Sequence, residues 1–185
     1  MKKMFNFLFW FLCLASSVAF ARNEEQVCGK SIIDIVGQHL GVKNFWKPGS
    51  SLPYEERVAS GMEDGVIVAQ ACKSSPQNKN IILIAVAYKP QAGGELDAEY
   101  DRHMIVAMVD ETKKQIVSSY QSSIGQDAIT EVGESSLVID TGNYRLAKNT
   151  RAFGLRFHSS ALGASCGDAS WGDELTLFVQ NGSIL

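Results

Sequence analysis

The sequence predicts an α+β fold, in which an N-terminal helix packs on a mainly antiparallel β-sheet or sandwich. Early in the domain, apolar residues recur at helical spacing, whereas later they fall in short β-branched runs. The turns between those runs are too short for the crossover connections that parallel strands need. One helix followed by many strands is typical of the α+β class.

The chain opens with a segment that has the three parts of a secretory signal peptide. Lys2 and Lys3 precede an apolar run, and small residues flank Phe20 at its end. The run is shorter than the roughly 20 residues that span a bilayer. We therefore expect cleavage after Ala21, a periplasmic location and one β-rich domain of residues 22–185. The alternative is that the leader is retained as an N-terminal anchor.

The composition of the expected domain argues against nucleic-acid binding. The chain has 17 Lys and Arg against 20 Asp and Glu. Two of the lysines lie in the leader, so the domain keeps 15 basic residues and a net charge of −5. Nucleic-acid binders need a basic face to neutralise phosphates. No long apolar run follows the leader, so we expect no membrane span after cleavage.

Residues 24–40 are predicted to form an amphipathic helix. Asn23 is a suitable N-cap and Gly41 a suitable stop. The apolar stripe between them consists of Cys28, Ile32, Ile35, Val36 and Leu40. A second, short helix over residues 54–61 is also compatible with the sequence.

Seven later runs predict strands. They are Val66–Ala71, Ile81–Tyr88, Met104–Val109, Ile116–Tyr120, Ser136–Asp140, Ala152–His158 and Leu175–Gln180. The second run lacks polar residues, which predicts a central strand covered on both faces. In the sixth run apolar residues alternate with Gly, Arg and His, which predicts a half-exposed strand. Residues 89–102 are expected to form an acidic, glycine-containing loop.

The end of the chain carries a strong hairpin signal. Asn181-Gly182 is typical of a two-residue turn in which both positions adopt positive φ. Only three residues follow, and a returning strand of that length would leave its partner half unpaired. We therefore hypothesise a natural chain that continues beyond Leu185.

Three cysteines remain after the expected cleavage, namely Cys28, Cys72 and Cys166. Export to an oxidising compartment favours one disulfide. We prefer Cys28–Cys72, because both lie on segments that we expect to be ordered, although the sequence alone does not settle the pairing. Cys166 is then the odd thiol: buried, paired between subunits, or reactive.

One set of residues could support nucleophilic catalysis, namely Cys166 with His158 and either Asp168 or Asp173. Such chemistry needs a thiol within hydrogen-bond reach of an oriented base. No protease or nucleophile-elbow motif surrounds these residues, and a surface histidine beside a spare cysteine explains them equally well. A small periplasmic hydrolase is therefore kept as the alternative function.

The acidic loops offer two further hypotheses. The loop over residues 166–174 carries three carboxylates, a ligand type that suits calcium, but its spacing matches no known calcium loop. The three histidines are scattered and offer no zinc spacing. The acids at Glu95, Asp97, Glu99 and Asp101 could serve a paired-carboxylate hydrolase, but we interpret them as a charged surface. No metal and no cofactor is expected.

Two tryptophans in loops predict a protein-binding surface. Exposed aromatic residues are favoured interface anchors. Trp46 stands before a Pro-Gly turn, and Trp171 lies in the acidic loop beside Asp173. The principal hypothesis is therefore a non-catalytic binding module, such as an inhibitor or immunity-type partner of a protein in the cell envelope.

Three segments carry a family resemblance. Over residues 130–137, 151–160 and 171–179 the chain resembles a group of uncharacterised, exported proteins of Gram-negative bacteria. The resemblance implies a periplasmic location and a final strand that continues further, and it implies no catalytic residue and no ligand.

Overall fold

The computed structural model describes residues 28–42, 45–46, 64–91, 101–125, 131–163, 167–170 and 174–185. These ranges hold one helix and ten strands, and the strands pair mainly in antiparallel fashion. The predicted α+β class agrees with this composition. In the described ranges no helix is long and apolar enough to cross a membrane.

One helix and ten strands follow one another along the described parts of the chain. They are α1 (Lys30–Leu40), β1 (Phe45–Trp46), β2 (Asp64–Ser74), β3 (Ile81–Gln91), β4 (Asp101–Asp110), β5 (Gln115–Gly125), β6 (Leu137–Ala147), β7 (Thr150–Phe157), β8 (Ser160–Gly163), β9 (Gly167–Ser170) and β10 (Glu174–Phe178).

Helix α1 begins later than the sequence predicts. Cys28 and Gly29 are not helical, and Gly29 forms the N-cap in an extended conformation, so the predicted start at residue 24 is wrong. Gly29 is a poor helix former and follows Cys28, which is held in a disulfide, so the helix begins only at Lys30. The predicted stop is right: Gly41 has φ 73° and its N–H donates to the carbonyl of Gln38. The predicted segment 54–61 lies outside the described residues.

Strands β1 to β5 form one sheet in the order of the chain. The four strands from β2 to β5 make the predicted antiparallel meander, and each is longer than its apolar run. The two-residue strand β1 joins the edge in parallel with β2, with Phe45 opposite Gly65. The sequence did not predict this pair, because a strand of two residues is too short to show an alternation of apolar and polar side chains.

Strand β3 is central and covered on both faces, as its apolar sequence predicts. All its residues from Leu83 to Ala87 are at most 1% exposed. Ile84 and Val86 pack in a cluster with the apolar side of α1, whereas Leu83 and Ala85 pack in a second cluster with residues of β6 and β7. The five-stranded sheet therefore separates two apolar cores.

Strands β10, β7 and β6 form a second sheet with β7 in the middle. The half-exposed alternation predicted for β7 is only partly right, since all four residues from Ala152 to Leu155 are buried. The outer face is covered at Gly154, where Leu175, Asp140 and Tyr144 close over the bare backbone. The inner face carries Phe153 and Leu155 into the second core.

Strands β8 and β9 correct another prediction. Residues 166–174 were expected to form one loop, yet Gly167–Ser170 pairs with Ser160–Gly163 in an antiparallel ladder. Both segments consist mainly of small residues with no apolar alternation, so the pattern gave no strand signal.

The C-terminal turn forms with a different register from the predicted one. Asn181 and Ile184 exchange two backbone hydrogen bonds, of 2.9 and 3.2 Å, so Gly182 and Ser183 occupy the centre of the turn. Gly182 has φ 63°, whereas Asn181 is not left-handed, and the predicted Asn-Gly centre is therefore wrong. The residues after the turn pair with Ser119 on the edge strand β5.

Candidate binding cleft

A cleft of about 680 Å³ lies between the turn that joins β2 to β3 and the turn that joins β6 to β7. Its walls include residues of β3, β4 and β5 from one sheet and of β7 and β10 from the other. The volume falls within the roughly 300–1,000 Å³ that is usual for small-molecule sites.

The floor of the cleft is apolar and comes from both sheets. It is formed by Ile81, Leu83, Met108, Val117, Phe153 and Phe178. Leu83 points into the cleft because alternate residues of a strand share a face, and the odd-numbered residues of β3 face the second sheet. The rings of Phe153 and Phe178 stack with centroids 5.6 Å apart. Phe153 and Phe178 are only 8% and 5% exposed, so the cleft reaches a small part of each ring beside the partly exposed side chains of Met108 and Val117.

The rim of the cleft is polar. It includes Ser75, Gln77, Asn78, Thr150, Gln180 and Asn181. Ser75 is only 3% exposed: its N–H donates to the carbonyl of Ile81, and its hydroxyl donates to Oε1 of Gln77 at 2.9 Å. The backbone N–H of Gln77 donates back to the Ser75 hydroxyl at 3.3 Å. These side-chain bonds fix the β2–β3 turn as one wall of the opening.

Arg151 brings a positive charge to the cleft. It precedes Phe153 by two residues on β7, so both lie on the inner face of that strand. Arg145 of β6 stands directly opposite Arg151 in the register, and Lys148 lies in the turn between them. All three are exposed. The end of this hairpin is therefore cationic, in a chain whose net charge is −3.

A second charged cluster lies on the opposite, outer face of the same sheet. Asp140 accepts hydrogen bonds from the backbone of Gly142 at 2.8 Å, from the hydroxyl of Tyr144 at 2.9 Å, and from Arg156 at 2.6 and 2.9 Å. Burial raises the pKa of the Asp140 carboxyl, but the bonds from Gly142, Arg156 and Tyr144 outweigh it and lower the pKa overall. This network pins β6 to β7 and does not reach the cleft.

The residues predicted for catalysis do not line the cleft where the structure describes them. His158 follows β7, and its backbone N–H donates to the carbonyl of Ser136. Asp168 lies in β9, where its backbone stands opposite Leu162. Cys166 and Asp173 lie outside the described residues. Among the described residues, no group of three His, Cys, Asp or Glu side chains could hold a metal ion.

The residues predicted for protein binding are also largely beyond what the structure describes. Trp46 forms part of β1 with its backbone opposite Val66, and Trp171 lies outside the described residues, as do the loop acids Glu95, Asp97 and Glu99. Binding by these residues stays a prediction.

The structure joins Cys28 to Cys72, the pairing that the sequence analysis preferred. Their Cα atoms are 5.3 Å apart, and 44 positions separate them along the chain. The bond ties the segment before α1 to β2, and Cys28 is buried in the core beneath the helix. It therefore anchors the helical layer to the five-stranded sheet.

Sequence reasoning missed the cleft, although one signal for it was visible. No Asp or Glu occurs from Thr141 to Gly167, a stretch that contains Arg145, Lys148 and Arg151. In an acidic chain, such a segment beside a predicted strand marks a local positive surface.

Comparisons of the chain with models of protein families, with curated proteins and with solved structures found no match.

Proposed function

We propose that this chain is an exported, non-catalytic binding protein whose ligand site is the cleft between its two sheets. The observation that carries the proposal is the construction of the cleft, an apolar floor supplied by both sheets beneath a polar rim. Small-molecule sites are typically built in this way, with burial supplying affinity and a few polar groups fixing orientation.

The chemistry of the described lining favours holding a ligand over transforming it. The lining side chains are aliphatic, aromatic, amide and hydroxyl groups together with the guanidinium of Arg151. Such groups bury apolar surface and donate hydrogen bonds, whereas turnover relies on a positioned base or an activated nucleophile. The hydrolase alternative depends on Cys166 and His158 or on the acidic loops, which the proposed site does not use.

Two features support export to the periplasm. The leader has the layout of a cleavable signal peptide. The Cys28–Cys72 bond suits an oxidising compartment. The predicted envelope partner, which would contact Trp46 and Trp171, is compatible with a ligand in the cleft, because the two proposals use different residues.

The test uses N-phenyl-1-naphthylamine, an uncharged apolar dye that fluoresces when it leaves water. Titration into the purified protein should give a saturable rise in fluorescence. Thr150→Trp places an indole at the rim of the cleft and should weaken dye binding at least tenfold. Gln121→Trp is the matched control, since Gln121 is an exposed residue of β5 that does not line the cleft.

Two results would overturn the proposal. One is the absence of saturable dye binding to the folded wild-type protein. The other is equal loss of binding in both tryptophan variants, which would place the dye elsewhere. Circular dichroism of each variant establishes that the fold is kept.

A further inference from the structure

We infer that the ligand of the cleft is a single-chain amphiphile with a negatively charged head group. This inference rests on the proposed binding function and adds the chemical class of the ligand. It combines two separate observations, namely the apolar floor of the cleft and the cationic end of the β6–β7 hairpin beside it.

The hairpin end brings exposed like charges close together. Arg145 and Arg151 face each other in the β6–β7 ladder, where opposing Cβ atoms are about 4.5–5.5 Å apart, and like charges so placed destabilise a strand pair. The ion pairs between described residues are Lys113–Asp110 and Arg156–Asp140, so they leave both arginines out. An anion bound at this position would remove the repulsion.

The register connects the positive charge to the apolar floor. Arg151 and Phe153 are two positions apart on the inner face of β7, a separation of about 7 Å. Beyond Phe153 the floor continues through the stacked ring of Phe178. A ligand with its head group at Arg151 would therefore lay its chain along the floor, over the exposed parts of these rings and the side chains of Met108 and Val117. Asn78 and Gln180 on the rim could donate further hydrogen bonds to it.

Only a ligand with both an apolar chain and an anionic head group would contact the floor and the arginines together. An inorganic anion would leave the apolar floor empty, and an uncharged apolar molecule would leave the two opposed arginines unpaired. A polyanion such as nucleic acid needs a wide basic face, whereas here the cations are confined to one hairpin end of an acidic chain.

The experiment compares three ligands that share a ten-carbon chain and differ in the head group. Decanoate, decanol and decyltrimethylammonium, each below its micellar concentration, compete with bound N-phenyl-1-naphthylamine on the purified protein. We expect decanoate to displace the dye at a concentration at least tenfold lower than the other two. Raising the salt concentration should narrow this difference, because it screens an exposed charge pair.

The preference should depend on one arginine. With displacement measured relative to each variant's own dye affinity, Arg151→Gln should raise the decanoate concentration needed for displacement to that of decanol. Arg156→Gln is the control: it makes the same charge change on the same strand, but its side chain pairs with Asp140 on the outer face and should keep the preference. If that variant misfolds, Lys79→Gln, an exposed cation of the β2–β3 turn, replaces it.

The outcomes separate this inference from the proposed function. Equal displacement by decanoate and decanol, or a preference that survives Arg151→Gln, overturns the anionic head group and leaves the cleft as a binding site. Failure of the dye to bind overturns the proposed function itself. Co-sedimentation with vesicles of anionic phospholipid, without any competition by free decanoate, overturns the inference in favour of a membrane surface.

Discussion

Removal of the Cys28–Cys72 bond is the perturbation whose magnitude follows most directly from the structure. The double variant Cys28→Ala, Cys72→Ala opens a loop that spans 44 positions. In the loop-entropy model, a closed loop of this size lowers the entropy of the unfolded chain by about 13 cal/mol/K, or about 4 kcal/mol at 25 °C. Loss of the buried Cys28 sulfur from the core beneath α1 adds to this cost.

Chemical and thermal unfolding measure the effect. The free energy of unfolding, obtained from urea titrations followed by circular dichroism, should fall by about 3–5 kcal/mol in the double variant. At about 2–4 °C for each kcal/mol in a chain of this size, the melting temperature should fall by about 6–20 °C.

Reductant supplies the control for this prediction. Wild-type protein in reductant should lose about 4 kcal/mol, somewhat less than the double variant because it keeps the buried Cys28 sulfur, and the double variant should not respond to reductant. Equal stability of the oxidised wild type and the double variant would refute the reasoning, and intact-mass measurement would show whether the bond had formed.

Three further predictions concern the core, the acidic network and the alternative function. Gly65→Ala should lower the free energy of unfolding by about 1–3 kcal/mol, because the new Cβ would lie 2.8 Å from a ring carbon of Phe45. Asp140→Asn should make the free energy of unfolding depend less on pH in acid. The hydrogen bonds to Asp140 lower the pKa of its carboxyl in the folded state, so the ionised carboxyl stabilises the fold above about pH 4. That contribution is lost as the pH falls through the pKa of the folded state. His158→Ala should leave dye binding unchanged.

Each of these predictions has a control or a contrary result. Gly133→Ala meets no atom within 4 Å and should be nearly neutral, so an equal loss in both glycine variants would contradict the packing argument. Urea titrations from pH 7 to pH 2.5 compare wild type with Asp140→Asn, and parallel curves would show that the network does not shift the titration. Loss of a hydrolytic activity in folded His158→Ala would favour the enzyme hypothesis.

Much of the five-stranded sheet was predictable from the sequence because its signals are local. The run from Ile81 to Ala87 has no polar residue and is rich in β-branched residues, which favours a strand buried on both faces. Short turns between the strands required antiparallel pairing. The Cys28–Cys72 pair could be preferred from the sequence because both residues lie in segments expected to be ordered, but only the fold settled the pairing.

The cleft was not predictable, because it depends on contacts between residues that are distant in the sequence. The sequence predicts Phe153 and Phe178 only as core residues of two separate strands. Their rings stack because β7 pairs with β10. In the sequence, Arg151 is an ordinary polar residue at the end of a predicted strand. Only the register of β6 and β7 shows that Arg145 lies opposite it. The burial of Gly154 likewise arises from side chains of neighbouring strands.

The central claim, that ligand binds between the two sheets, is tested most directly by an NMR titration. Backbone amide shifts of ¹⁵N-labelled protein would be followed as decanoate is added below its micellar concentration. We expect saturable shifts concentrated at the amides of Ser75, Gln77 and Asn78 and of residues 150–153 and 178–181. Shifts centred on the helix Lys30–Leu40, which packs on the other face of the five-stranded sheet, or no shifts at all, would contradict that claim.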